Sequence, residues 1–156
     1  MIRLISVTLV AWSLAPGLAL AGVPQLDVPS AAQAAVAAVD RFATALAAGK
    51  LEQAAAELDP EAIILEGGGA EHSAAEYLGG HAKSDAEFLK TARQELLRRT
   101  ARASGGLAWV TSESELSIQR EGKPATIASA ETMVLRSTAA GWKIVHIHWS
   151  SRTRKQ

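Results

Sequence analysis

Gly141-Trp142-Lys143-Ile144-Val145-His146-Ile147-His148-Trp149-Ser150 is the stretch from which the fold is read. It is rich in β-branched and aromatic residues and opens on a glycine, which is the pattern of a strand leaving a turn. Strand side chains alternate faces. One face therefore collects Trp142, Ile144, His146, His148 and Ser150, and the other Val145, Ile147 and Trp149. His146 and His148 stand at i and i+2, so both imidazoles point the same way, about 6–7 Å apart along the strand. Moving back along the chain, the same period of two recurs in three further segments, and the four strands span about 95–104, 107–119, 124–137 and 142–151. Gly105-Gly106, Glu121-Gly122-Lys123 and Ala140-Gly141 separate them as hairpin turns.

Upstream of about residue 92 the period changes. Val36, Val39, Phe42, Ala43 and Leu46 recur at helical spacing, predicting a helix over 31–48, capped by Ser30 and ended by Gly49. A short helix over 50–58 stops at Pro60, Ala62–Glu66 forms a strand, and Gly67-Gly68-Gly69 a turn. Ser73 caps a further helix with Glu76 in capping-box position, and that helix runs to about Ala92 with a break at Gly79-Gly80. The order α-α-β-α-β-β-β-β places helices first and antiparallel strands last. That order predicts an α+β domain with the helices packed on one face of a curved sheet.

The ends of the chain divide it further. Arg3, the apolar run Leu4–Leu14 and Ala19-Leu20-Ala21 before Gly22 have the form of a cleavable signal peptide over 1–21, so the expected location is periplasmic or secreted. The run is short for a membrane span, which needs about 20 apolar residues, so no membrane attachment is expected after cleavage. Residues 22–30 read as a linker, 31–151 as the domain and 152–156 as a basic tail. The chain has no cysteine, which removes disulfide and thiolate chemistry. Losing residues 1–21 removes one charge, Arg3, and leaves 15 bases against 16 acids, which is no footprint for nucleic acid. Phe42, Tyr77, Phe88 and three tryptophans are also too few for a base-stacking platform. P-loop, dinucleotide-fold and nucleophile-elbow motifs are absent from the sequence.

The element order and the closing strand resemble the nuclear transport factor 2-like superfamily, in particular its SnoaL-like bacterial branch, which often ends on G-W-x-I-x-H-x-H-x-S. The resemblance covers about residues 31–151. It implies a cone-shaped curved antiparallel sheet, a cystatin-like roll, with the N-terminal helices closing one side around a pocket. It does not choose among isomerases, dehydratases, binding proteins and oligomerising hubs.

Two groups of residues could carry chemistry. Tyr77, His81 and Asp85 are spaced i, i+4, i+8, one stripe of a continuous helix. Asp85 there would orient His81 as a general base, with Tyr77 donating to a substrate oxygen. His146 and His148 form the second group. Asp, His and Tyr serve in the cone of related dehydratases and isomerases, so the resemblance makes all five plausible pocket residues. One reading is a small-molecule pocket that catalyses a dehydration or isomerisation without a cofactor. Another is a binding module in which His81, His146 and His148 hold zinc or copper. A third is a homodimer joined through an outer sheet face carrying Val145, Ile147 and Trp149. Of the remaining acids, Glu66 could reach the cone mouth. Glu131 shares a strand face with Met133, Leu135 and Ile127, which makes it a partly buried carboxylate with an arginine such as Arg136 as its expected partner.

Overall fold

The structure is a computed structural model that describes residues 22–154. Residues 1–21, expected as a signal peptide, and the last two residues of the expected basic tail lie outside that range. Strand β1 (Gln25–Asp27) is followed by a 3-10 turn at Ser30–Ala32 and helices α1 (Gln33–Ala47) and α2 (Leu51–Ala55). Strands β2 (Leu58–Glu66) and β3 (Gly69–Glu71) precede helices α3 (Ala74–Gly79) and α4 (His81–Thr91). Four long strands close the chain: β4 (Arg93–Ser104), β5 (Leu107–Arg120), β6 (Lys123–Thr138) and β7 (Gly141–Thr153).

All seven strands form one curved, open sheet in the order β1-β4-β5-β6-β7-β2-β3. β4 to β7 are antiparallel neighbours, whereas β1 on β4 and β2 on β7 pair in parallel. The expected α+β roll is present, with two additions. Residues 25–27, read as a linker, form an edge strand that Asp27 ties to Arg102 at 2.7 Å. Gly69–Glu71, which begins on the last glycine of the expected Gly67-Gly68-Gly69 turn, forms a second edge strand. The expected second helix is shorter than 50–58, because Leu58 already pairs with Ile144; Pro60 lies where that pairing shifts register. Proline donates no ladder hydrogen bond and so sits at such irregularities.

Helix α1 supplies the lid. Ala35, Ala38, Val39, Phe42, Ala45 and Leu46 are buried along one stripe, and the small alanines let α1 approach β5 and β7 closely. α1 ends in a left-handed turn at Gly49, φ 68°. A Cβ there would stand 2.9 Å from the Lys90 ammonium nitrogen. The core lies between α1 and the concave face of the sheet, where Ile64, Ala101, Val110, Met133, Leu135, Ile144 and Ile147 are buried. No helix among the described residues is long and apolar enough to cross a membrane.

Two bulges bend the sheet. Leu97 is the extra residue where β4 pairs β5, and Val145 is the extra residue where β7 pairs β6. A bulge leaves one residue unpaired and bends its strand. At Val145 it also changes which side chains face inward. Ile144 is buried before it, and Ile147 is buried and Trp149 points inward after it. Simple alternation from Trp142 cannot survive that step.

Candidate functional site

The site is assembled where the β2–β3 hairpin meets the corner between α3 and α4. Glu66 ends β2, and Gly67 and Gly68, both at positive φ, turn the chain into β3. β3 ends on Glu71. Ser73 then caps α3, its Oγ accepting from the Glu76 amide at 3.1 Å, while the Glu76 carboxylate accepts from the His72 amide at 2.8 Å. At Gly80 the backbone leaves helical geometry (φ −119°, ψ −103°), so α3 and α4 are separate helices.

The predicted stripe is only partly kept: His81 and Asp85 share α4, one turn apart, yet they do not hydrogen-bond to each other. Across the break, Tyr77 instead donates its hydroxyl to Asp85 Oδ2 at 2.8 Å, and His81 pairs through Nδ1 with Glu71. Tyr77 is fully buried with its ring 6.0 Å from that of Trp149, so it supports Asp85 and does not reach into the cavity. His81 is 63% exposed at the start of α4, with the 9%-exposed Glu71 carboxylate behind it. Asp85 is therefore not the residue that orients His81.

Asp85 and Glu66 line a cavity of about 130 Å³ under α1. Phe42, Leu46, Phe88, Leu89, Leu116 and Met133 provide its apolar walls, and Ser112, Ser114, Ser129 and Gln94 its neutral polar groups. Burial pushes the Asp85 carboxyl above the usual range, against the Tyr77 hydrogen bond and His81, which favour the anion. Burial pushes Glu66 up as well, and the Asp85 and Glu71 charges add to that while His81 opposes it. Tyr77 is raised by burial and by Asp85 beside it, so its hydroxyl stays a donor. His81 is raised chiefly by its hydrogen bond to Glu71.

Glu131 lines the same cavity on β6. Its oxygens accept from Ser112 Oγ at 3.1 Å and Trp149 Nε1 at 2.8 Å. Arg136, the partner expected from the sequence, is instead bonded to Asp59 at 2.5 Å. The inward position of Glu131 was legible from its strand face shared with Met133. Its partners were not, because both come from neighbouring strands. Glu71 carried no signal beyond following a turn.

The two strand histidines go elsewhere. Past the Val145 bulge they lie on the outer face, where His146 Nδ1 donates to the Ile63 carbonyl at 3.0 Å and His148 is exposed. The three histidines expected as a metal set do not converge. Among the described residues no group of three or more His, Cys, Asp or Glu side chains could hold a metal ion. The apolar outer surface expected for dimerisation is altered too, since Ile147 is core and Trp149 stacks on Phe42 at 6.3 Å.

Residues 35–153 match the SnoaL-like domain family. Among solved structures, a candidate ketosteroid isomerase from Shewanella frigidimarina is 34% identical, covering 75% of this chain and 94% of that one, with a TM-score of 0.71. A candidate dehydratase of the NTF2-like family from Streptomyces avermitilis is 18% identical over 79% of this chain and 97% of that one, TM-score 0.64. The CaMKII hub of S. rosetta is 22% identical over 77% and 95%, TM-score 0.64. At those last two identities the likeness is one of fold. No curated protein matches the chain.

Proposed function

The chain belongs to the SnoaL-like family, and from that premise we propose that it is a small acid–base enzyme that isomerises or dehydrates a carbonyl compound in the cavity under α1. One observation carries the reading. The Asp85 carboxylate, fixed by the buried Tyr77 hydroxyl, shares an apolar-walled cavity with a second carboxyl, Glu66. The two have separate roles. Tyr77 stabilises the Asp85 anion, whereas the Asp85 charge disfavours ionisation of Glu66. Burial raises both carboxyls, and the opposite sense of these two neighbour effects assigns Asp85 as the base and Glu66 as the acid. Asp85 takes the proton next to a substrate carbonyl. Glu66 donates its proton, either to the far carbon of the resulting enolate in an isomerisation or to a departing hydroxyl in a dehydration. The apolar walls exclude water and strengthen both interactions. Tyr77 is a positioning residue. The likeness to the candidate ketosteroid isomerase and the candidate dehydratase supports both reaction types.

We further propose that the protein is exported, on the signal-peptide pattern of residues 1–21. Fractionation and N-terminal sequencing of the mature chain should find it outside the cytoplasm beginning at Gly22.

The catalytic test is a panel of β,γ-unsaturated and β-hydroxy ketones, read by ultraviolet absorbance of the conjugated product. Asp85→Asn should lower kcat about 10²–10⁴-fold on any compound turned over, the usual contribution of a positioned base. A folded Asp85→Asn protein with unchanged turnover rejects the role of Asp85. A panel with no turnover rejects the enzyme.

A further inference from the structure

The charge lining the cavity is one-sided. Glu66, Asp85 and Glu131 contribute carboxyl groups, and among the described residues that line it none is Lys, Arg or His. Glu131 differs from the other two. It lies in mid-strand on the concave face, and its two oxygens each accept from one neutral donor, Ser112 and Trp149. A carboxylate has about four acceptor sites, so two donors leave it with capacity to spare. No arginine among the described residues is salt-bridged to it. Arg99 stands behind Ser112, donating to that hydroxyl at 3.2 Å, and is paired on its other side with Asp40 of α1. The rings of Phe42, Phe88 and Trp149 also border the cavity. Aromatic faces attract cations, and an anion in an apolar enclosure gains most from a charge-assisted donor.

From this geometry, and resting on the cavity being the substrate site, we infer that the ligand is a small organic cation, a protonated amine on an apolar body, received by Glu131. The amine donates to the carboxylate oxygens left open by Ser112 and Trp149. The apolar body lies between Phe42, Leu46 and Met133, which turns the reacting carbon toward Asp85 and Glu66. A carboxylate-bearing ligand meets three acids and no base, and a neutral one leaves Glu131 without a charged partner.

The test compares three probes of one shape, benzylammonium, benzyl alcohol and benzoate, by calorimetry and by the indole N–H resonance of Trp149. Benzylammonium should bind at least tenfold more tightly than benzyl alcohol and shift the Trp149 signal, and benzoate should not bind. Glu131→Gln should erase the preference, and Glu131→Asp should retain part of it. Equal affinity for the amine and the alcohol, preference for benzoate, no binding of benzylammonium, or a preference that persists in Glu131→Gln overturns the inference. The wild-type comparison and the Trp149 signal decide the matter even if Glu131→Gln fails to fold. Turnover that depends on Asp85 without a charge preference sinks this inference alone. A charge preference without turnover sinks the catalytic reading alone.

Discussion

Two pairs of residues with the same apparent promise end on opposite sides of the sheet. Tyr77 and Asp85, eight positions apart and separated by a glycine break, bond to each other at the cavity wall. His146 and His148, two positions apart on one regular-looking strand, lie outside it. A helix break between Tyr77 and Asp85 still leaves both residues on the side that faces the core. A bulge of one residue reverses the facing of everything beyond it, because the strand period is two. Proximity in sequence is therefore a poorer guide to a shared site than the phase of the element that carries it.

The comparison breaks most visibly at adjacent positions of β7. Trp149 stacks on Phe42, packs at a tilt against Tyr77 and bonds to Glu131, so Trp149→Ala should cost about 3–5 kcal/mol in urea unfolding, as for large core truncations. His148→Ala, one position away on the outer face, should change stability by less than about 0.5 kcal/mol. Equal losses would mean that the facing assigned beyond Val145 is wrong.

Deleting Val145 sharpens the same point. Without it, Ile144, Ile147 and Trp149 obey simple alternation, so the inward set should persist while the local bend is lost. A cost of about 1–3 kcal/mol and a retained near-ultraviolet tryptophan signal are expected. Loss of that signal would contradict the phase argument.

The helix corner responds more mildly. Tyr77→Phe leaves the ring in place and removes the donor to Asp85, which should cost about 1–2 kcal/mol. The Tyr77 hydrogen bond holds the Asp85 pKa down, so its loss raises that pKa further. The acid limb of the pH–rate profile should then move to higher pH. An unmoved limb with a folded variant would remove Asp85 as the titrating base.

These contrasts mark what the sequence disclosed. The α+β order, the hairpin glycines, the break at Gly79-Gly80, the Ser73–Glu76 cap and the inward place of Glu131 were legible because each is local or periodic. The two short edge strands were not. Gln25–Asp27 has no alternation to read in three residues, and it is fixed by pairing with a strand some seventy positions later. The bulge at Val145 carries no glycine or proline, so nothing in the strand announces it. The partners of Asp85, Glu131 and His81 depend on which elements meet, and the Glu71–His81 pair in particular joins an edge strand to a helix start.

That pair yields the smallest effect and the one with a definite pH signature. His81 is largely exposed, and its pKa is raised above the ordinary value near 6.5, first by the hydrogen bond to Glu71 and then by its charge, with Asp85 and Glu66 adding to the same sign and burial opposing it. Those carboxylates, on β3, α4 and β2, favour the imidazolium in the folded chain. A raised folded pKa contributes stability that is complete below the unfolded value and is lost as pH rises through the folded one. Melting temperatures of the wild type and His81→Gln should therefore differ most below about pH 6.5 and converge on the alkaline side. Solvent screening keeps the difference small. A constant offset across the range would make His81 a packing residue, and the tie between β3 and α4 would then owe nothing to its charge.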